Sequence, residues 1–535
     1  MQKRVLLILG LIGALYFEMF AFANNTGARD AMMISLFEPD EFAQYPVVMR
    51  MLTSQPAWKQ AVFDFIAYRH YYYGSSFYFG SALLLLPVKL AAGLEHTQLN
   101  MLLLRQFVSV LPMLAALLLL TWLQTRFRSY FWSIGLFVLL LSIPAVVENS
   151  LWWHVDSLAV LFVVLTLYFL DRDALRLRRD FYLAAASTGL AVGTKIIGVF
   201  FVVAVPLYLL IAIAQRRATW QRAILSGVAF VAVMAAAIVI ANPFLLLRSE
   251  FDRMFSLLTR QAEAMSAGWT LHYASGPASW LGVLRAYYGG LTFIGLALVS
   301  LAVGTWRSES RLRSILIAAW AIPFGLYVLL TIAIKPTHFF LPILLPVFSS
   351  LAVWEGAARS GPAQGEGLAR WLPRLGIGLA AVIVVYQFML NVRADASLYR
   401  EALTREHTNG ALVFYSELEG KFLPRLPADV RLKVFRDVRM YFPEGPRWTV
   451  RTFWNASYRT IENIKPDLIV LWYQRVLDYT QEGAREQAID PETFQSVYDF
   501  YVDADNDQLR GYRLLYRDAT GLFFASQAAY EAYFR

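Results

Sequence analysis

The chain contains no cysteine among its 535 residues, and only 16% of them are charged. Without thiols it can form no disulfide, present no thiolate nucleophile and hold no cysteine-ligated metal. Soluble domains average roughly 25% charged residues, so the composition excludes an ordinary soluble enzyme. A P-loop and a dinucleotide-binding fingerprint are also missing, as are internal repeats and low-complexity linkers. What is present instead is apolar: 58% of the residues are hydrophobic. They are gathered into runs. Ala223–Leu247, Ala286–Trp306 and Ser314–Ile334 each continue without a charge, and about 20 apolar residues cross a bilayer as a helix. These runs predict a polytopic α-helical membrane protein. The net charge of +9 then reads as Lys and Arg at cytoplasmic helix ends, with no nucleic-acid partner implied.

Twelve apolar stretches run from Val5–Ala23 to Leu375–Asn391. Basic clusters lie at Lys3/Arg4, Arg126/Arg128, Arg172/Arg176/Arg178/Arg179, Arg216/Arg217/Arg222, Arg307/Arg311/Arg313 and Arg359/Arg370/Arg374. If these face the cytoplasm, every second connection is inside. Only one net crossing is then allowed between Lys3/Arg4 and Arg126/Arg128, yet two apolar stretches lie between them. The weaker, Ser75–Leu94, carries Lys89 and Pro87. It is read as a helix lying on the outer face. The result is eleven crossings, with residues 24–101 and everything after Asn391 outside; twelve crossings is the alternative. The first span is read as retained, although Ala21-Phe22-Ala23 resembles a signal-peptidase site.

Residues 1–391 therefore form a membrane domain, and residues 392–535 form a small extracytoplasmic α/β domain. In the latter, β-like runs occur at Ala411–Tyr415, Leu432–Phe435, Leu468–Trp472, Tyr512–Tyr516 and Leu522–Ala525. The last two read as a hairpin around Asp518-Ala-Thr-Gly521. Gly361–Gly367 reads as a short flexible cytoplasmic loop.

The ionisable residues near span ends concentrate on the outer face. Asp40 and Glu41 follow Pro39, which signals a helix start with an acidic first turn. Asp40 suits either a plain surface helix or a carboxylate base beside the lipid surface. Phe181–Thr194 is short for a span, which sets Lys195 near the headgroup level. There it either snorkels or meets a lipid phosphate. Glu148, His154 and Asp156 share one outer connection, where they suit an interfacial turn or nitrogen and oxygen ligands for a divalent metal. Lys335 and His338 open a later outer loop, and Arg105 leads a span from the same side. Each can contact a headgroup or add a cation for phosphate. His272 lies in an aromatic-rich outer loop that reads as a bare surface or a lid.

In order along the chain, these segments resemble the GT-C superfamily of integral membrane glycosyltransferases, especially its aminoarabinose transferase and protein O-mannosyltransferase branch. The resemblance covers roughly residues 1–395. It rests on Asp40-Glu41, the run Tyr71-Tyr-Tyr-Gly-Ser-Ser-Phe-Tyr-Phe79, Arg105, Asp156-Ser-Leu, Gly189-Leu-Ala-Val-Gly-Thr-Lys195, Asn242-Pro-Phe244 and Lys335-Pro-Thr-His-Phe-Phe-Leu-Pro342. His338-Phe339 stands where the family often has Arg-Tyr. The resemblance implies transfer of a hexose or pentose from a polyprenyl-phosphate donor to a lipid, glycan or protein hydroxyl. The reaction would take place on the periplasmic face of a bacterial cytoplasmic membrane. It casts Asp40 as general base, with inversion, and Glu41 as its partner. Lys195, Arg105, Lys335 and His338 would bind the donor phosphate, while Asp156, His154 and Glu148 orient the acceptor. No cofactor is required, and a divalent metal at Glu148, His154 and Asp156 is compatible. The competing readings are a flippase or transporter for a lipid-linked substrate and a non-catalytic envelope assembly protein.

Overall fold

The computed structural model describes residues 1–53, 57–355 and 368–535; Arg359 and the Gly361–Gly367 stretch lie outside them. The chain is a polytopic α-helical membrane protein with a small C-terminal sheet domain. Among the described residues, eight helices are long and apolar enough to cross a membrane. Nine qualify if Pro277–Tyr287 and Leu291–Trp306, bent by 97°, count as one span. The expected crossings at Tyr130–Val147, Ser157–Leu170 and Phe181–Thr194 correspond to the helices Tyr130–Leu141, Asp156–Asp173 and Arg179–Thr194. These are shorter or carry charged ends, so length and apolarity alone do not select them. Ser75–Ala92 passes the same measure.

The bundle has two distinguishable faces. On one, the Gln2 side chain donates to the Arg126 carbonyl, Arg126 pairs with Asp171, and Arg313 donates to the Leu123 carbonyl. The basic clusters at four different helix ends therefore meet, as a positive-inside arrangement requires. On the other face, Asn24 donates to the Ser150 carbonyl and Arg105 to the Asn24 carbonyl. Both ends of Ser75–Ala92 lie on this second face: Gly74 donates to the Thr194 carbonyl, and Asn100 donates to the Leu94 carbonyl.

The last long helix, Leu368–Thr408, runs without interruption through Asn391. The domain boundary set there falls inside a helix. Arg393 and Asp395 mark where apolarity ends, but nothing breaks the helix before Asn409-Gly410. Asn409 then caps Gly410–Lys421, its side chain accepting from Ala411 N. The strand expected at Ala411–Tyr415 is therefore helix, set by its cap rather than by its short apolar run.

Five strands follow: β1 (Leu432–Asp437), β2 (Trp448–Phe453), β3 (Leu468–Trp472), β4 (Tyr512–Arg517) and β5 (Gly521–Ser526). Their order is β2-β1-β3-β5-β4. β1 is parallel to β2 and β3, while β5 is antiparallel to β3 and β4. The β4–β5 hairpin turns at Asp518, whose carboxylate accepts from Thr520 N and Gly521 N. One face of the sheet packs on a helix from the other end of the sequence. Met32, Met33 and Leu36 of the helix Ala31–Phe37 are buried with Val434, Val470 and Phe523. Arg436 reaches across to the Ser35 hydroxyl at 2.6 Å, and Tyr441 donates to Asp30 at 2.7 Å. The C-terminal domain thus grips the segment that leads directly into Glu38, Pro39 and Asp40.

Candidate functional site

Pro39 is the first residue of the helix Pro39–Leu52, with Asp40 and Glu41 in its first turn. Successive helix positions point about 100° apart, so these neighbouring carboxylates have different fates. Asp40 is half exposed and stands 4.0 Å from His154 Nε2. Glu41 is fully buried in a two-pronged pair with Arg105: Nε to Oε1 is 2.8 Å and Nη2 to Oε2 is 2.5 Å. The Trp153 backbone N–H also donates to Glu41, at 2.6 Å. Arg105 completes its bonds at the Asn24 and Thr26 carbonyls. Arg105 was expected to bind a donor phosphate, but its guanidinium is sealed into this pair. Glu41 likewise presents no free oxygen face.

A second cluster centres on Asp156, at the start of the helix Asp156–Asp173. Lys195 Nζ donates to its Oδ1 at 2.7 Å. His154 Nδ1 faces Oδ2, and His338 Nε2 lies 3.7 Å from that same oxygen. On the other side of the ring, His154 Nε2 lies 2.8 Å from the Tyr73 hydroxyl. Burial, with Asp40 and Asp156 nearby, holds the Tyr73 phenol well above its usual range, so it stays a donor. Trp152 stacks on the His154 ring, with centroids 4.1 Å apart. Lys195 also lies over the Phe339 ring at 4.7 Å.

Close backbone packing brings the separate sequence motifs to this place. Gly74 donates to the Thr194 carbonyl at 2.9 Å, and a Cβ on it would fall 1.4 Å from the Gly193 carbonyl oxygen. Asn242 bridges the junction, accepting from Ser75 N at 2.8 Å and donating to the Gly193 carbonyl at 3.0 Å. Phe244 packs against the Tyr71 ring at 4.2 Å. The aromatic run, the Gly189–Lys195 segment and Asn242-Pro-Phe244 therefore form one joint, and that joint sets the root of Lys195.

Asp40 opens onto a cleft of about 340 Å³ lined by Glu38, Glu148, Trp152, Thr337 and His338, and by Arg439 and Trp454 of the C-terminal domain. Burial pushes the Glu38 carboxyl up to about 8, with Glu41 adding to the shift and Arg439 opposing it. Burial also raises Glu148, which accepts from the Thr337 hydroxyl. Arg439 holds the Leu36 and Phe37 carbonyls at 3.2 Å.

Two further expectations change here. Among the described residues, the group that can converge on a metal is His154, Asp156 and His338, with ligand atoms within 4.8 Å of one another. Glu148 belongs to the cleft wall instead. The nitrogen and oxygen donors fit a divalent ion in type, but Lys195 already supplies a cation to Asp156. Lys335 is engaged elsewhere: its ammonium donates to the Ala274, Ile332 and Ala333 carbonyls and lies over Trp280. His272 is exposed on a segment whose backbone pairs with the C-terminal domain, His272 N donating to the Gln487 carbonyl at 2.7 Å. Sequence reasoning gave no separate role to Glu38, Tyr73, Thr337, Arg439 or Trp454, although Tyr73 and Thr337 lie within the runs Tyr71–Phe79 and Lys335–Pro342. Glu38 was signalled by its place beside Pro39; Arg439 and Trp454 reach the cleft only through tertiary folding.

No protein-family model and no curated protein matches this sequence. Among solved structures, the chain is similar to ArnT from Cupriavidus metallidurans bound to undecaprenyl phosphate. That match has 12% identity and a TM-score of 0.47, and covers 98% of each chain. The apo form of that protein gives 13% identity and a TM-score of 0.49, over 96% of this chain and 97% of that one. It is also similar to the archaeal oligosaccharyltransferase AglB from Archaeoglobus fulgidus in complex with an inhibitory peptide and a dolichol-phosphate. There identity is 12% and the TM-score 0.43, over 85% of this chain and 66% of that one.

Proposed function

We propose that this protein is a membrane glycosyltransferase that moves a sugar from a polyprenyl-phosphate donor to an acceptor hydroxyl. The transfer takes place on the outer, periplasmic face of a bacterial cytoplasmic membrane. One observation carries the reading: a half-exposed carboxylate, Asp40, opens onto a cleft while a cation, Lys195, is held nearby through Asp156 and His154. This is the pairing that sugar transfer from a phosphate requires. Asp40 takes the acceptor proton as the acceptor oxygen attacks the anomeric carbon. The bond from that carbon to the phosphate oxygen breaks, its electron pair leaves with the polyprenyl phosphate, and the configuration inverts. Lys195 exchanges Asp156 for the departing phosphate, with His338 beside it, and so stabilises the charge that develops there. Glu41 and Arg105 act as positioning residues that lock the first turn bearing Asp40. Where a divalent ion binds, His154, Asp156 and His338 would hold it, and it would supply charge stabilisation at phosphate.

Mass spectrometry of lipids co-purifying with wild type and Asp40→Asn tests the proposal. Accumulation of a polyprenyl-phosphate sugar on the variant, reduced again by Lys195→Ala, is the expected result and identifies the sugar. Equal lipid profiles, with no Asp40-dependent transfer from a donor panel, would rule the enzyme reading out.

A further inference from the structure

The face of the bundle opposite Asp40 holds a second cavity, of about 300 Å³, lined by Leu175, Arg176, Arg178, Arg217 and Arg222. The helix Asp156–Asp173 connects the two faces. Its 18 residues span about 27 Å at 1.5 Å per residue, from the Asp156 cluster to this cavity. A run of basic residues at a cytoplasmic helix end usually reads only as a topology signal. Three observations take this one further.

The local carboxylates are committed elsewhere. Asp171 pairs with Arg126 and Asp180 with Arg172. Asp173 accepts from Leu177 N, Arg178 N and the Tyr208 hydroxyl, each at 2.6–2.9 Å. Among the described residues, none of the four arginines lining the cavity makes an ion pair.

The turn that presents Arg176 and Arg178 is held in an unfavourable backbone conformation. Ala174, Leu175 and Leu177 all have left-handed φ values, of 49°, 62° and 52°. Side chains of that size rarely adopt this region unless the surroundings impose it. The imposing contacts are visible: Asp173 gathers the turn's N–H groups, and the Tyr208 hydroxyl accepts from Leu175 N at 2.7 Å. Leu175 and Leu177 are buried beneath it.

The two basic segments are also joined. Arg222 donates to the Arg176 carbonyl at 2.9 Å, and Arg216 takes a left-handed φ of 55° just before Arg217. Four guanidinium groups, none of them in an ion pair among the described residues, are thus gathered around one concave space at the end of apolar helices. Guanidinium forks match phosphate oxygens, and basic pockets between helices on the cytoplasmic side suit lipid headgroups.

We propose that this cavity is a binding site for the phosphate of an anionic membrane lipid, on the face opposite the reaction site. The test uses full-length protein in nanodiscs of phosphatidylcholine, alone or mixed with phosphatidylglycerol. Lipid retained after detergent release is counted by native mass spectrometry. Wild type retains phosphatidylglycerol. Arg217→Gln/Arg222→Gln, which removes the Arg222 bond to the Arg176 carbonyl but keeps the Asp173 and Tyr208 bonds that hold the strained turn, retains it about thirtyfold more weakly, taking the usual surface contribution per arginine. Lys3→Gln/Arg4→Gln removes the same charge from another helix end on that face and leaves retention unchanged. If the glutamine variant fails to fold, Arg217→Lys/Arg222→Lys keeps the charge, loses the fork and is expected to weaken retention in part. Equal retention by wild type and whichever arginine variant folds would overturn the proposal. So would competition by inorganic phosphate at millimolar concentration that displaces phosphatidylglycerol fully, because the site would then serve a soluble anion.

Discussion

Arg105 and Glu41, 64 positions apart, form a fully buried two-pronged pair at the first turn that carries Asp40. Breaking a buried pair leaves an uncompensated charge and costs about 3–5 kcal/mol. Arg105→Met is therefore expected to lower thermal stability in detergent sharply, and Glu41→Leu by a similar amount. A stable Arg105→Met protein with only a raised KM for donor would instead make Arg105 a donor ligand.

Lys195 bonds to Asp156 while still 16% exposed at the side chain. Its removal should act on chemistry more than on folding. Lys195→Met is predicted to lower kcat by about 10²–10³-fold, the range for losing one transition-state donor, with Lys195→Arg recovering part of it. An unchanged kcat would assign the lysine to headgroup contact alone.

Glu38 gives a pH signature. Its carboxyl is raised from 4.5 to about 8 by burial, so the folded protein holds this proton more tightly than the unfolded chain does. The associated stability is fully present below pH 4.5, declines as pH rises towards 8, and is lost above it. Glu38→Gln should flatten the thermal-melting profile across that window. An identical slope in the variant would mean the carboxyl is ionised in the fold.

Asp156 is already neutralised by Lys195, so transfer activity is predicted to survive exhaustive chelation. Loss of activity with EDTA, restored by manganese or magnesium, would instead place an ion among His154, Asp156 and His338.

At Gly74 a methyl group would overlap the Gly193 carbonyl oxygen. Gly74→Ala should therefore separate the aromatic run from the Lys195 segment, reducing both folded yield and turnover. Gly80→Ala, at a position with open space around it, should reduce neither.

The membrane helices were legible because lipid demands long apolar runs, and Pro39 marked its helix start in the sequence. The β2 strand was not: it has an exposed–buried pattern with little alternation, and its parallel partner β1 supplies what its own residues do not announce. Ala411–Tyr415 misled because five apolar and aromatic residues fit a strand as well as a helix; the cap at Asn409 decided it. Asp40, Lys195 and Asp156 were visible as ionisable residues at span ends. That Glu41 and Arg105 would bond to each other, that His338 would join His154, and that Arg439 would line the cleft are consequences of packing between distant segments. No local period or spacing encodes them.

The most direct test is single-turnover assay of the polyprenyl-phosphate sugar recovered from Asp40→Asn, with released polyprenyl phosphate measured by mass spectrometry. Wild type is predicted to release it together with an inverted glycoside, and Asp40→Asn to be slower by about 10²–10⁴-fold, the usual contribution of a general base. Equal release by both proteins, or no release by wild type from any donor that binds, would contradict the assignment of Asp40 as the base of a sugar transferase.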